Sequence, residues 1–317
     1  MSRVLVTHLK DGVIAFEALL TAASWSALRE KSSSMACALA PKAQLQSELA
    51  TPLMALLEDM GVSLIEDAGL DFGAEFRHCD AYLGLRSLGS DPFAVLAPGT
   101  IVLGDFAPDL GPYFASKDFV PVWPVELLYG PKRPDIWTTL FESQKVDVAS
   151  MTHNSDHPAI WSHWPEVDGR IVLGPDAESF GRSFAHFARV LLDEPPSIVA
   201  TQNARKNLLR IALPLALAEQ GANQTNLGRP DTLLPNIFVM HRLAYFYSAA
   251  PIEAVDRLET AVSANKVKKV LKLYEPAKRL IYQGKGRQLR ERFYSEAGQR
   301  PRDLMRRLRK NTKWWVR

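Results

Sequence analysis

Two short apolar runs, Phe93–Leu96 and Ile101–Leu103, stand on either side of Ala97, Pro98, Gly99 and Thr100. Neither run is long enough for a helix and neither alternates with polar residues, the pattern of strands covered on both faces. Pro-Gly between them forces the chain to turn. The stretch therefore predicts a buried strand, a sharp break and a second extended piece. In an α/β sheet ligands bind beyond the carboxyl ends of such strands, so function is expected at the break, at Ala97, Gly99 and Thr100.

The residues before it repeat a strand-then-helix rhythm. Arg3–His8 (RVLVTH) reads as a strand, Lys10, Asp11 and Gly12 as a turn, and Val13–Arg29 as an Ala/Leu-rich helix. Met35–Leu39 is a second strand, Ser47 caps a helix over Glu48–Met60 that stops at Gly61, and Val62–Ile65 is a third strand. This alternation predicts an α/β fold whose mostly parallel sheet is flanked by helices. It also places Thr7, His8 and Lys10 at the carboxyl end of the first strand, beside any bound ligand.

Composition narrows the class. The 317 residues are 47% apolar and 23% charged, ordinary for a soluble globular protein. Cys37 and Cys79 are the only cysteines, too few for a disulfide framework or a zinc knuckle, so free thiols in a reducing cytoplasm are expected. The start, MSRVLVTHLK, lacks the apolar core of an export signal, and the run Ile211–Ala218 is far below the ~20 residues a membrane span needs. The net charge of +3 hides an asymmetry: residues 265–317 hold 18 Lys and Arg against 4 Asp and Glu, or +14, which leaves −11 for the remainder.

In its spacing the chain resembles the GT-A glycosyltransferases, in particular a bacterial group of nucleotide-diphospho-sugar transferase-like proteins. Their strand of the form LFLDADTLVLGDLSPL matches here at Leu96, Thr100, Val102, Leu103, Gly104, Asp105, Pro108 and Leu110. The pattern continues at Trp123, Pro124, Leu128, Tyr129, Gly130, Pro131, Ile136 and Trp137, and at Ile211–Leu215. The resemblance implies a GT-A-like fold that binds a nucleotide-diphospho-sugar and a glycan or lipid-linked acceptor. In the family the DxD aspartates hold a divalent cation. Those two positions are Ala97 and Gly99 here, and neither side chain offers the oxygen a hard cation needs. No metal and no other cofactor is therefore expected.

Two further matches keep the frame and lose the polar residue. The family's NAG turn becomes Val167-Asp168-Gly169, and the acidic and amide positions of its LDQVALPL become Leu209 and Arg210. Asp168 reads either as a routine turn residue before Gly169 or as the catalytic base of an inverting transfer. The family's Asn-Lys pair at the start of the helix expected over Glu75–Leu88 aligns with Cys79 and Asp80 or one residue later, while Arg77 and Arg86 read as ordinary charges on a solvated face. His153, Asp156, His157 and His163 match no standard metal spacing and read as a surface loop, and His241 as a histidine packed in or beside the core.

Past Pro251 the chain turns basic and helical. Val267, Val270, Leu271 and Tyr274 share one helical face among lysines, and Arg287–Arg317 intersperses Leu289, Phe293, Leu304, Met305 and Leu308 with arginines before Trp314 and Trp315. Such a segment suits an anionic membrane surface; nucleic acid is the weaker alternative and a solvated tail the bland one. The sequence thus predicts a GT-A-like domain over 1–251 and a basic helical extension over 252–317, cytoplasmic and peripheral on the inner membrane face. The expected activity is glycosyl transfer without a DxD-bound metal; the alternative is a catalytically silent binding protein in polysaccharide assembly.

Overall fold

The computed structural model describes residues 3–28, 32–40, 45, 48–66, 79–104, 114–116, 135–147, 167, 169–196, 208–222, 227–228, 237–239 and 243–293. Seven strands build the main sheet: β1 Arg3–Leu9, β2 Ser33–Leu39, β3 Ser63–Ile65, β4 Phe93–Leu96, β6 Phe114–Ser116, β7 Ile171–Gly174 and β8 Leu227–Gly228. Their order is β3-β2-β1-β4-β7-β6-β8. The first four run parallel, β7 is antiparallel to both β4 and β6, and β8 is parallel to β6. A separate antiparallel pair joins β5 Thr100–Val102 to β9 Ile237–Val239. The sheet is the expected mostly parallel one, with β7 reversed.

Alternation along the strands sorts their side chains between two cores. Leu5, Leu9, Met35, Cys37, Ala94, Leu96, Ile171 and Leu173 face one. Val6, Phe93, Val95 and Val172 face the other. Because both faces are covered, the strands read as unbroken apolar runs.

On the first face lies α1, Val13–Ser26, buried around nearly its whole circumference. A helix apolar all round must be covered on every side. Sheet residues cover it from below, and α8 Ile252–Ala261 and α9 Asn265–Leu271 cover it from outside. Phe16 of α1 stacks on Tyr274 at 5.0 Å between ring centroids. Val255, Leu258, Val267, Leu271, Leu280 and Leu289 all belong to the cluster that contains Leu5 and Leu19. Helices on both sides of residue 251 thus share one core, and the apolar face of 267–281 packs inward.

The opposite face carries α3 Asp80–Gly84, α4 Asp135–Ser143, α5 Ala177–Asp193 and α6 Leu208–Glu219. In α5 the Asp176 carboxylate accepts a hydrogen bond from the Ser179 amide at 2.9 Å and so caps the helix. Phe180, Phe184 and Phe187 follow at helical spacing, all buried. Pro214 sits inside α6 and withholds one amide, but the helix continues because Ile211 to Leu217 are all buried around it.

Several boundaries differ from the sequence reading. The helix after β2 is α2, Ala50–Asp59; Leu49 is at its N-cap with no side-chain hydrogen bond, and Ser47 lies outside the described residues. The helix expected over Glu75–Leu88 is described only as α3 and one 3-10 turn, Leu85–Ser87. The apolar stretch Leu233–Tyr247 divides into β9 and the start of α7 Leu243–Ala249, while His241 lies outside the described residues.

Candidate functional site

Strands β2 and β3 lie on one side of β1, and β4 lies on the other. The order of connection therefore reverses between β1 and β4, and the crevice beyond their carboxyl ends is the ligand position of such a sheet. Val6 pairs with Val95, the last pair of that ladder, so His8 and Ala97 both follow at the same end of the sheet.

The residues expected from β1 divide between its two faces. His8 and Lys10 share the face of Val6, against which α3 packs. Thr7 shares the face of Leu5 and Leu9; it is 0% exposed and its Oγ1 has no hydrogen-bond partner among the described residues. His8 is also buried, whereas Lys10 is half-buried at the rim.

The break after β4 is fastened from two sides. The Ala97 amide donates to the Arg170 carbonyl at 2.7 Å. Gly99, at φ 84°, occupies the left-handed region that a residue with a Cβ rarely adopts. Its amide donates to the Glu17 carbonyl at 3.0 Å and to Thr21 Oγ1 at 2.9 Å. The Thr100 hydroxyl donates to the Ala97 carbonyl at 2.6 Å. One turn further along α1, Ser24 Oγ accepts from the Val102 amide at 3.0 Å and donates to the Thr21 carbonyl at 2.8 Å. The Gly99 and Val102 amides are thereby directed onto α1.

Gly169 borders the same region, at φ 66° and buried. Its carbonyl accepts from the Tyr82 hydroxyl at 2.7 Å, and a Cβ added to it would stand 3.0 Å from Leu209 Cδ2. Leu209, where the resemblance expects an acidic side chain, thus packs directly on the turn whose amide side chain is also replaced. Asp168 lies outside the described residues.

Tyr82 ties α3 to the Gly169 turn, and Asp80 two residues earlier lies toward β1. Asp80 is 4% exposed, and its Oδ2 has no hydrogen-bond partner among the described residues. Burial pushes its carboxyl up to about 6, with Lys10 and its own backbone amide pulling the other way. Cys79 beside it is a free, buried thiol, pushed well above the usual thiol range by burial and by Asp80; Cys37 is likewise free and buried. Asp80, Tyr82, Thr21 and Ser24 are the residues of this region that sequence reasoning did not single out as a site. The only signal for Thr21 and Ser24 is their hydroxyls on an apolar helix that also carries Glu17 and Ser26.

The residues at the break do not fit a divalent cation. Ala97 and Gly99 bring no carboxylate, and the Ala97 carbonyl already accepts from the Thr100 amide and hydroxyl. Asp91 precedes β4 and so lies at the opposite end of that strand; Asp105 is outside the described residues. Among the described residues no group of three His, Cys, Asp or Glu could hold a metal ion. Outside them too lie Arg77, the segment 117–134, His153, Asp156, His157 and His163.

A parallel β3-β2-β1-β4 half, a reversed β7 and a site at the β1/β4 crevice define an α/β protein of the GT-A-like class. The chain belongs to the family of the Rhodobacterales glycosyltransferase domain, whose profile it matches over residues 5–221. Among solved structures it is similar to the galactosyltransferase LgtC in complex with donor and acceptor sugar analogs, with 13% identity, a TM-score of 0.44, and coverage of 83% of this chain and 96% of that one. It is also similar to the bifunctional glycosyltransferase WbbM in its apo form, with 11% identity, a TM-score of 0.43, and coverage of 86% and 51%. A third is the apo-form glycosyltransferase GlyE of Streptococcus pneumoniae TIGR4, with 12% identity, a TM-score of 0.37, and coverage of 82% and 51%. No curated protein matches the chain.

Proposed function

We propose that the protein transfers a glycosyl group from a nucleotide-diphospho-sugar to a glycan or lipid-linked acceptor, and that the donor is held without a metal at the turn after β4. The observation that carries this reading is the composition of the β1/β4 crevice. Lys10 brings a cation to its rim, His8 lies below it, and the positions where the wider GT-A group has paired aspartates are Ala97 and Gly99. A diphosphate leaving group needs positive charge near it. With no carboxylates at the break, Lys10 can approach the diphosphate directly in place of a bridging cation.

Thr7, His8, Lys10, Ala97, Gly99, Thr100 and Gly169 are assigned to the nucleotide-sugar site in this reading, Gly99 and Thr100 as the scaffold of its floor, since their amide and hydroxyl bond internally. Asp168, next to Gly169, is the candidate base. Asp168→Asn is then expected to lower turnover by about a hundredfold or more, as loss of a general base does, with little change in melting temperature. Unchanged turnover would leave Asp168 as a turn residue. A second reading, a catalytically silent sugar-nucleotide binder in polysaccharide assembly, is favoured by the apolar contact of Leu209 on Gly169.

Sugar nucleotides screened by thermal shift, with and without Mn2+, separate these readings from failure of both. A specific ligand raises the melting temperature by mass action, and the shift is expected to be the same with and without the metal. A shift seen only with Mn2+ overturns the metal-independent donor site, and no shift with any sugar nucleotide overturns the donor itself. Hydrolysis or transfer assayed on the donor that binds then distinguishes enzyme from silent binder.

The same reading extends to location. The basic segment from residue 252 onward attracts an anionic membrane surface, which holds the protein at the inner face of the membrane near a lipid-linked acceptor. No helix among the described residues is long and apolar enough to cross a membrane.

A further inference from the structure

A carboxylate buried with an oxygen unpaired is costly to keep, and Asp80 is such a group on the β1 side of the crevice. It is 4% exposed, its Oδ2 has no hydrogen-bond partner among the described residues, and the residues around it on α3, Ala81, Tyr82 and Leu83, are buried too. Desolvating an unpaired carboxylate opposes folding, so a position that served packing alone would be better filled by an amide or an apolar side chain. Strained or unsatisfied groups of this kind gather at binding sites.

We propose that Asp80 determines which nucleotide the protein accepts, its free Oδ2 taking a hydrogen bond from an N–H or O–H of the nucleoside half of the donor. This rests on the reading above that a nucleotide-diphospho-sugar occupies the β1/β4 crevice. Charge decides which half of the donor meets Asp80. The diphosphate is anionic, so it meets the Lys10 ammonium at the half-buried rim and not the buried Asp80 carboxylate beneath, on which that same ammonium acts. The nucleoside is uncharged and carries the donors that an acceptor-only group requires. Position agrees, because α3 packs on both β1 and β2 and extends through Tyr82 to the Gly169 turn at 2.7 Å. The helix thereby forms one wall from the ends of the parallel strands to the turn beside β7. The resemblance expects an Asn-Lys pair about here; a buried carboxylate inverts the charge of that lysine, which is why this wall suits a nucleoside and not a phosphate.

The test is titration calorimetry of the full chain at about pH 7.5 with UDP, dTDP, CDP, GDP and ADP, on wild type and Asp80→Asn, with thermal melts of both proteins. The nucleotide bound best by wild type is expected to lose roughly tenfold or more in affinity in the variant, the size of a hydrogen bond to a charged group. The variant's ligand-free melting temperature is expected to hold or rise, because a desolvated charge has been removed. On wild type either the base-N-methylated or the 2′,3′-dideoxy analogue of that nucleotide should lose a similar factor, which assigns the donor to base or ribose, and the variant should discriminate neither. Equal affinity in wild type and variant overturns the inference while leaving the donor site standing. Weaker binding together with a lower melting temperature makes Asp80 a structural residue and overturns it as well, as does a wild type indifferent to both analogues. If wild type binds none of the five nucleotides, the donor reading itself fails and the inference falls with it.

Discussion

Among the described residues Thr7 and Asp80 each hold a side-chain oxygen without a partner at buried positions beside the carboxyl end of β1, while at the Ala97–Thr100 turn the Ala97, Gly99 and Thr100 amides and the Thr100 hydroxyl are bonded. The unpaired atoms therefore lie on β1 and α3 and not at the break, where the sequence directs attention. Asp80 has a consequence for stability that can be signed. Its carboxyl titrates at about 6 in the folded protein against 3.8 for the ordinary side chain, with burial as the main cause. Between those values the native state binds more protons than the unfolded chain, so this group's stabilising contribution is complete below 3.8 and is lost as pH rises through 6. At about pH 7.5 the loss amounts to ~3 kcal/mol from a shift of about two units. Asp80→Asn is expected to be more stable than wild type in urea at that pH by up to this amount, and indistinguishable from it near pH 4. A variant less stable than wild type at high pH would show that the carboxylate is paired by the rest of the chain.

At the scale of elements, the junction between α1 and β5 shows what the sequence conceals. The strand, break and second strand at 93–103 were legible from two apolar runs around Pro-Gly, and α1 from its length and Ala/Leu content. Apolar runs of this kind are a local signal, and sequence carries local signals well. The clamp from Thr21 and Ser24 to Gly99 and Val102 was not legible, because it joins residues 78 apart through two hydroxyls that look ordinary on a helix. For the same reason Asp80 read as a lost lysine and not as a group in its own right. Ser24→Ala should leave the buried Val102 amide without its acceptor and cost about 1–3 kcal/mol in denaturant unfolding, although alanine is the better helix former. No measurable loss would mean that another acceptor replaces Ser24. The packing of α5 on the turn after α3 makes a second case. A Cβ on Gly181 would stand 2.6 Å from the Arg86 amide nitrogen, which is backbone and cannot step aside. Gly181→Ala is expected to destabilise by roughly 1–3 kcal/mol or more, whereas alanine in a helix is otherwise favourable; a stabilised variant would show that the two helices separate freely.

Across the whole molecule the basic C-terminal region is built into the core as far as it is described, to Phe293, and residues 294–317 lie outside the described residues. The amphipathic face at Val267, Val270, Leu271 and Tyr274 was legible as a helix, but its partner was not, since period alone cannot say whether a stripe meets lipid or protein. That partner is α1 and its neighbours. Lys266 pairs with Asp59 of α2 at 2.6 Å, and Arg287 of α11, Lys285–Phe293, pairs with Asp256 and Glu259 of α8, each at 2.6 Å. Exposed pairs of this kind add little individually, but Gly286 also seats α11 on the Tyr247 ring, where a Cβ would come within 2.5 Å. A chain ending at Asn265 loses Val267, Leu271, Leu280 and Leu289 from the core, and burial of such side chains contributes about 1.5–3 kcal/mol each. It is expected to aggregate or melt far below the full chain. A chain ending at Phe293 keeps every one of these contacts and should melt close to the full chain. Any membrane-binding role of Leu304, Leu308, Trp314 and Trp315 can then be measured on a folded protein. In co-sedimentation with phosphatidylglycerol-rich vesicles the full chain should bind, weakening as salt screens its charges to within ~8 Å but retaining a salt-resistant fraction from the tryptophans. The chain ending at Phe293 should lose that fraction. Equal binding by the two would move the anchor from residues 294–317 to the packed helices, and binding of duplex DNA with none to vesicles would replace the membrane by nucleic acid as the partner of the charge.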